Sequence, residues 1–188
     1  MKSILAGICI GLGCTIYCSV ENHILGALLF SCGLLAIRLM KYDLFTGKVQ
    51  YIITKQYDKF FYIFCLLGNL IGIFSTMLIA LPQQIIVETA ISIGQVRLNQ
   101  SFIVAVMKGI GCGALMTIAT YKETPLWISS LCVVGFISAG FNHCIADWYY
   151  LCMTKANFFK IIIKWGPILL GNIIGGLAIT PFLIKDEA

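Results

Sequence analysis

Two short polar interruptions inside apolar segments carry the side chains best suited to chemistry. The first, Asp43–Lys48, contains a threonine hydroxyl, and the second, Ser138–His143, ends on a histidine. An imidazole can donate from one ring nitrogen while the other accepts, and it changes charge close to neutral pH. A membrane helix that breaks needs its freed backbone groups satisfied by protein or by a water-lined cavity. Because the breaks fall in corresponding halves of the chain, they predict a permeation site.

The composition is that of an integral membrane protein. Of 188 residues, 60% are hydrophobic and 11% are charged, and the mean hydropathy is +0.95. Six continuously apolar stretches each approach or exceed the ~20 residues that cross a bilayer as a helix, which favours an all-α protein over a barrel. We expect the first stretch to be a retained helix rather than a cleaved signal peptide. The stretches cover roughly 3–20, 24–42, 60–81, 99–120, 125–153 and 160–184.

The distribution of lysine and arginine favours a cytoplasmic N-terminus. Six spans place the C-terminus on the same side, so we expect a multi-pass protein of the cell (inner) membrane with both termini cytoplasmic. The net charge of +5 then reflects topology, and no nucleic-acid partner is expected. The cations expected inside are Lys2, Arg38, Lys41, Lys48, Lys55, Lys59, Lys122 and Lys185, and those expected outside or near it are Arg97, Lys155, Lys160 and Lys164.

Nine cysteines lie almost entirely inside apolar runs, without a C-x-x-C pair or histidines at zinc spacing. We interpret them as small buried hydrophobic residues and expect neither a metal nor a cofactor. Cys144 stays open as a reactive candidate because it follows His143. H-E-x-x-H and G-x-S-x-G motifs are missing from the sequence, so an intramembrane enzyme is disfavoured.

An internal repeat divides this single transmembrane domain (residues 1–188). Gly11–Cys14 resembles Gly109–Cys112, and Gly68–Gly72 resembles Gly171–Gly175. Three spans in each half give an odd number, so the second copy enters from the opposite face and an inverted repeat results, with the pore between the halves. The glycines also suit close packing of membrane helices, which is the role we expect for them. The two halves cover about 1–98 and 99–188.

Three motifs together resemble the formate/nitrite transporter family. They are Asp43–Gly47 in a broken second span, Gly140–Asp147 in a broken fifth span, and Gly171–Gly176 in the sixth. The resemblance runs almost the full length of the chain. It implies an aquaporin-like protomer with its own pore, assembled as a homopentamer in the lipid bilayer. It further implies transport of a small monovalent anion of the formate, nitrite or hydrosulfide class, or of its neutral acid, with a proton as the second partner.

The resemblance also implies roles for individual residues. His143 falls between two constrictions, and Arg97 supplies a cation at the outer mouth. Two positions depart from the family pattern, Gly113 where many members have asparagine and Asn142 where many have glutamate, which leaves the anion open. The inner constriction corresponds to Leu34, Leu44, Phe45 and Thr46, and the outer one to Phe30 and Phe136.

A narrow apolar pore penalises a bare anion more than its neutral acid, because the anion loses more hydration. The hypothesis is that His143 supplies or stabilises a proton on the anion, and that the segment Leu44–Gly47 gates the cytoplasmic end. In the alternatives, His143 is a structural histidine hydrogen-bonded between helices, and the protein is a non-transporting scaffold or sensor subunit.

Three charged residues near the breaks have simpler expected roles. Asp43 and Asp147 are expected to cap the half-helices that follow the interruptions. Lys108 lies inside the fourth span, where it marks either a functional site or a side chain that reaches toward the interface. Its spacing from Gly113 predicts that it faces away from the substrate path.

Overall fold

The computed structural model of the chain describes residues 1–183, and all regular structure within that range is helical. Residue 184 of the predicted sixth stretch and Lys185 lie outside the described residues. A 3₁₀ helix covers Val49–Ile52. The α-helices are α1 Lys2–Cys18, α2 His23–Leu39, α3 Phe45–Lys48, α4 Lys59–Ala80, α5 Gln84–Asn99, α6 Phe102–Thr120, α7 Leu126–Ser138, α8 Cys144–Met153 and α9 Phe158–Leu183.

Within the described residues, three helices are long and apolar enough to cross a membrane unaided, namely α4, α6 and α9. Helices α1, α2 and α7 are apolar but shorter. The predicted stretch 125–153 forms two helices, α7 and α8, and the stretch 24–42 ends where α2 gives way to the break before α3. Helix α5 was not expected from hydropathy, because its sequence is less apolar than that of the other long helices.

Helices α2 and α7 end in the same backbone conformation, directly before the two breaks. Lys41 has φ 55° and Gly140 has φ 66°, both in the left-handed region that commonly follows a helix C-terminus. The backbone N–H of Tyr42 then donates to the carbonyl of Ile37 over 2.9 Å, and the N–H of Phe141 makes the corresponding bond over 2.9 Å. Glycine adopts this conformation without steric cost, whereas a lysine pays for it.

Helix α1 packs on α4 and helix α6 packs on α9, each through a glycine that allows backbone contact. A Cβ atom on Gly7 would overlap the backbone of Asn69, and one on Gly113 would overlap the backbone of Asn172. Gly113 is therefore a packing residue at the α6–α9 contact. These matching contacts make Gly7 the structural counterpart of Gly113.

The similar glycine motifs of the first helices do not occupy equivalent positions. Gly11 lies against the side chain of Thr76, whereas Gly109 lies against the backbone of Ile168 and Gly171. The segments Gly11–Cys14 and Gly109–Cys112 are therefore similar in sequence but do not lie at equivalent positions along their helices. The Gly68–Gly72 and Gly171–Gly175 motifs do correspond, since each packs on the backbone of its neighbouring helix.

Substitution of Gly113 by alanine tests the α6–α9 contact. The added methyl group has no room beside Asn172, so Gly113→Ala should destabilise the protein by about 1–3 kcal/mol. Gly166→Ala is the matched control in α9, where nothing lies within 4 Å of an added Cβ, and it should be neutral or stabilising by up to about 1 kcal/mol. Thermal unfolding of the detergent-solubilised protein measures both. Equal melting temperatures would contradict the assigned contact.

Candidate functional site

One buried asparagine holds the start of the half-helix after the first break. Asn69 of α4 accepts from the backbone N–H of Phe45 through Oδ1 at 2.8 Å. Its Nδ2 donates to the carbonyl of Asp43 at 2.9 Å and to that of Ser3 at 2.7 Å. A single side chain therefore satisfies groups on both sides of the break and joins them to α1 and α4.

A second asparagine does the same at the second break. Asn172 of α9 accepts from the N–H of Cys144 through Oδ1 at 2.8 Å, and its Nδ2 donates to the carbonyls of Asn142 at 2.8 Å and Gly109 at 2.9 Å. Helix packing through their glycines was the role expected for these motifs, and the bonds of the asparagines were not predicted. The available signal was an amide repeated within two apolar spans.

The two breaks meet at a hydrogen bond between His143 and Thr46. His143 Nε2 lies 3.0 Å from Thr46 Oγ1, and both residues are buried. The imidazole also caps α8, because Nδ1 accepts from the backbone N–H of Ala146 at 3.1 Å. Its ring stacks on Phe136 with centroids 5.7 Å apart. Three contacts thus hold the imidazole in one orientation.

This geometry assigns the tautomer of the histidine. A backbone N–H can only donate, so Nδ1 of His143 must offer a lone pair to Ala146. The neutral ring then carries its proton on Nε2 and donates it to the hydroxyl of Thr46. Protonation of Nδ1 would remove the helix cap. The histidine therefore presents a hydrogen-bond donor toward the other half of the molecule.

A cavity of about 170 Å³, here called the histidine-side cavity, lies on one side of this bond. Phe30 and Phe136 meet edge to face within its wall, with centroids 6.3 Å apart. An apolar aromatic pair thus adjoins the imidazole. The residues lining this cavity include Phe30, Arg97, Phe136, Gly140, His143 and Asp147.

A larger cavity of about 380 Å³, the lysine-side cavity, is lined by Leu44 and Gly47 of the first break. Four cationic side chains line it, which favours the entry of anions. The guanidinium of one of them, Arg38, donates to the hydroxyl of Ser129 and, over 2.9 Å, to the carbonyl of Tyr121. These four cationic residues are Arg38, Lys41, Lys48 and Lys122.

Five of the expected pathway residues do not line either cavity, and one of them is Thr46, which is buried beside His143. Leu34 is buried in the apolar core, and Phe45 lines a separate lateral groove between α4 and α9. Gly113 packs on Asn172, as described above. Asn142 donates from Nδ2 to Gln100 Oε1 at 2.6 Å, so its side chain points away from the imidazole that follows it.

The two aspartates near the breaks form ion pairs rather than caps. Asp43 lies 3.2 Å from Lys48 Nζ, and Asp147 Oδ1 lies 2.9 Å from Arg97 Nε in a largely buried pair. Both predictions of capping were wrong: His143 occupies the capping position of α8, and α3 has no side-chain cap. Arg97 lies on the wall of the histidine-side cavity, but Asp147 compensates its charge.

Lys108 lies close to the second break and does not face away from it. Its carbonyl accepts from the N–H of Asn142 over 3.2 Å, and a Cβ atom built on Gly140 would lie 3.8 Å from its Nζ. Gly140 lines the histidine-side cavity. Helical spacing places Lys108 and Gly113 on different faces of α6. The second break folds across the face that carries Lys108, so Gly140 of the cavity wall lies beside the lysine.

Comparison with known proteins identifies the family. The model of the formate/nitrite transporter family matches residues 1–184 of the chain. The chain belongs to the formate/nitrite transporter family. Its relatives are transporters and channels rather than enzymes, and the apolar helices agree with a multi-pass membrane protein.

Curated members of the formate/nitrite transporter family are similar over most of the chain. The uncharacterized transporter YHL008C of Saccharomyces cerevisiae is 29% identical over 84% of the chain, which spans only 26% of that relative's length. The formate channel FocB of Escherichia coli is 25% identical over 96% of the chain and 83% of its own length. The uncharacterized transporter YrhG of Bacillus subtilis is 24% identical over 82% of the chain and 68% of its own length.

Solved structures of formate/nitrite transporters share the fold. A pentameric formate channel with formate bound superimposes with a TM-score of 0.82 at 25% identity, covering 100% of this chain and 95% of the other. An FNT family ion channel also gives a TM-score of 0.82, at 18% identity, covering 100% of this chain and 88% of the other. Both breaks and their asparagines therefore lie within a fold that is shared along the whole chain.

Replacement of Asn172 tests the clamp at the second break of this formate/nitrite transporter. Asn172→Ala leaves the N–H of Cys144 and two carbonyls without partners, so we expect a loss of about 2–5 kcal/mol in stability. Hydrogen exchange should rise at residues 142–146 while the break at 40–47 keeps its protection. Asn172→Asp, which turns an acceptor-only carboxylate oxygen toward the two carbonyls, should destabilise the break at least as much. Uniform loosening of both breaks would contradict a local clamp.

Nitrogen-15 NMR of labelled histidine tests the tautomer. We expect His143 Nδ1 to show the shift of an unprotonated ring nitrogen and Nε2 that of a protonated one. Thr46→Val should move the Nε2 resonance and leave that of Nδ1 in place, because the bond to Ala146 persists. The exposed His23 provides an internal reference. A protonated Nδ1 in His143 would exclude the assigned cap.

Proposed function

We propose that the protein is a membrane channel or transporter for a small monovalent anion of the formate, nitrite or hydrosulfide class, or for its neutral conjugate acid. The observation that carries this proposal is the 3.0 Å contact between His143 Nε2 and Thr46 Oγ1. It joins the two breaks between a cavity lined by four cations and a cavity lined by Phe30 and Phe136. The permeant species passes from one cavity to the other beside this bond.

The proposed architecture has six spans arranged as an inverted repeat of three plus three. In this architecture α2 with α3 forms the broken second span, and α7 with α8 forms the broken fifth. The paired bonds of Asn69 and Asn172 and the shared helix endings at Lys41 and Gly140 support it. The protomer is then aquaporin-like. Assembly as a homopentamer is supported by the likeness to a pentameric formate channel.

The lysine-side cavity is proposed as the cytoplasmic mouth. Its positive potential raises the local concentration of anions, and its cations agree with the bias expected for an inner-membrane protein with cytoplasmic termini. On the other side, the Arg97–Asp147 pair contributes little net charge. Lys108 near Gly140 supplies the positive charge that is proposed to draw anions into the histidine-side cavity.

The central barrier favours neutral or partly neutralised species. Phe30, Phe136 and Leu44 offer nothing to replace the hydration of an anion. The Nε2–H of His143 lies beside Phe136, and it exchanges its hydrogen bond to Thr46 for one to the permeant species when that species arrives. Because Nδ1 is occupied by the cap, the imidazole stabilises the anion by hydrogen bonding, while the neutralising proton comes with the permeant acid.

The segment Leu44–Gly47 is proposed as the gate at the lysine side. Gln50 fixes its end, because Nε2 donates to the carbonyl of Gly47 at 2.8 Å. Asn69 fixes its beginning at Phe45. A rotation of the short helix α3 between these two points displaces Thr46 from His143. Opening is therefore coupled to release of the imidazole N–H.

Flux into proteoliposomes tests the function. Formate, nitrite and hydrosulfide should enter vesicles that contain the wild-type protein, and His143→Phe should slow the best substrate by about tenfold or more, as expected for loss of a hydrogen bond to a charged group. Thr46→Ser should retain most of the flux. His23→Asn, in an exposed helix start, is the matched control and should leave flux unchanged. Absence of flux for every anion across a pH series would favour the scaffold alternative.

A further inference from the structure

A lateral groove of about 500 Å³ lies between α4, α9 and the segment that follows the first break. Its walls are almost entirely apolar. Ile63 in this wall is half exposed, so the groove opens sideways from the helix bundle. The apolar wall consists of Phe45, Ile52, Ile63, Leu66, Leu169 and Ile173.

One end of the lateral groove carries two lysines. Lys55 and Lys59 line it at the turn before α4. Asp58, which lies between them, is engaged as the cap of α4, since Oδ1 accepts from the N–H of Phe60 at 2.7 Å. Tyr62, which also lines the groove, has a buried hydroxyl without a hydrogen-bond partner. The rim is therefore cationic.

We propose that this groove binds an anionic phospholipid of the surrounding membrane, with one acyl chain along the apolar wall and the phosphate at Lys55 and Lys59. From Lys59 to Leu66 the helix rises roughly 10 Å, which accommodates part of an acyl chain below the headgroup. Lysines next to an apolar surface at the membrane boundary suit anionic headgroups. A zwitterionic lipid fits the same groove but gains less electrostatic stabilisation from the two lysines.

Charge argues against a second copy of the chain as the occupant. Around this end of the bundle, Asp43 is paired with Lys48 and Asp58 is used as a cap. Glu123 is the remaining acidic residue at this end within residues 1–183, so a symmetry-related copy would bring mainly more positive charge. The cations at this end within the described residues are Lys2, Arg38, Lys41, Lys48, Lys55, Lys59 and Lys122.

The position of the groove links the lipid to the first break. Phe45 is the first residue of α3 and Ile52 ends the 3₁₀ helix that follows, so both ends of this helical segment line the groove. A bound acyl chain contacts Phe45, which directly precedes the Thr46 that meets His143. Lipid binding itself does not depend on transport, and its test does not measure flux.

Native mass spectrometry of the full chain, purified with phosphatidylglycerol and phosphatidylcholine in equal amounts, tests the site. Wild type should retain phosphatidylglycerol in preference. Lys55→Gln/Lys59→Gln should lower that preference by roughly tenfold or more, as expected for two lysines near an anionic surface. Lys155→Gln/Lys160→Gln removes two exposed lysines outside the groove and should leave it unchanged. Ile63→Trp, which fills the groove, should reduce retention of both lipids.

Three outcomes would overturn the proposal. Wild type could show no preference for the anionic lipid, or the two double-lysine variants could behave alike. In the third, Ile63→Trp dissociates the assembly into monomers and lipid retention does not depend on Lys55 and Lys59, which would identify the groove as a contact between copies of the chain. A folded but lipid-free Lys55→Gln/Lys59→Gln protein with intact assembly supports the lipid site.

Discussion

The need to satisfy backbone groups inside the membrane governs this structure. At each break a helix gives up hydrogen bonds at a depth where water is scarce, and an unsatisfied buried amide or carbonyl costs about 1–3 kcal/mol. Asn69 and Asn172 offset this cost, because each makes three hydrogen bonds to backbone groups. Because their donors and acceptors are fixed on long helices, the backbone at the start of each half-helix is held rigidly where the two halves meet.

This rigidity places His143 and Thr46 in contact. The imidazole has its ring face on Phe136, one nitrogen on the backbone of α8 and the other on the threonine. A histidine held this way has little freedom to change tautomer or to take up a second proton. In the transport proposed above, the histidine acts as a fixed donor beside the aromatic pair, and the movable partner is the threonine on the short helix α3.

Much of this arrangement was predictable from the sequence. The two polar interruptions and the family motifs located both breaks, and the resemblance to formate/nitrite transporters was confirmed. The prediction that Asp43 and Asp147 cap helices was wrong. A sequence shows that a carboxylate lies near a helix start, but it does not show that a cation elsewhere in the chain reaches that carboxylate. The contact of Lys108 with the second break was not predicted for a related reason, because helical spacing describes one helix and cannot show which segment folds across it.

Some expected pathway residues were placed elsewhere by contacts that linear spacing cannot show. Gly113 lies against the backbone of Asn172, and the side chain of Asn142 turns to Gln100. Correspondence with a family motif identifies a position along the chain, whereas the direction of a side chain depends on its neighbours in space. The asparagines were overlooked because the glycines beside them already explained the motif.

The two mouths differ in electrostatic character. One is lined by Arg38, Lys41, Lys48 and Lys122, with Lys48 paired to Asp43, whereas the guanidinium at the other is matched by a carboxylate 2.9 Å away. At equal bulk concentrations, anions accumulate more at the first mouth, and added salt screens that accumulation. For the proposed passage of anions between the two cavities, flow driven from opposite sides should then saturate at different concentrations, so such a pore would rectify at low ionic strength and lose this directionality as the salt concentration rises.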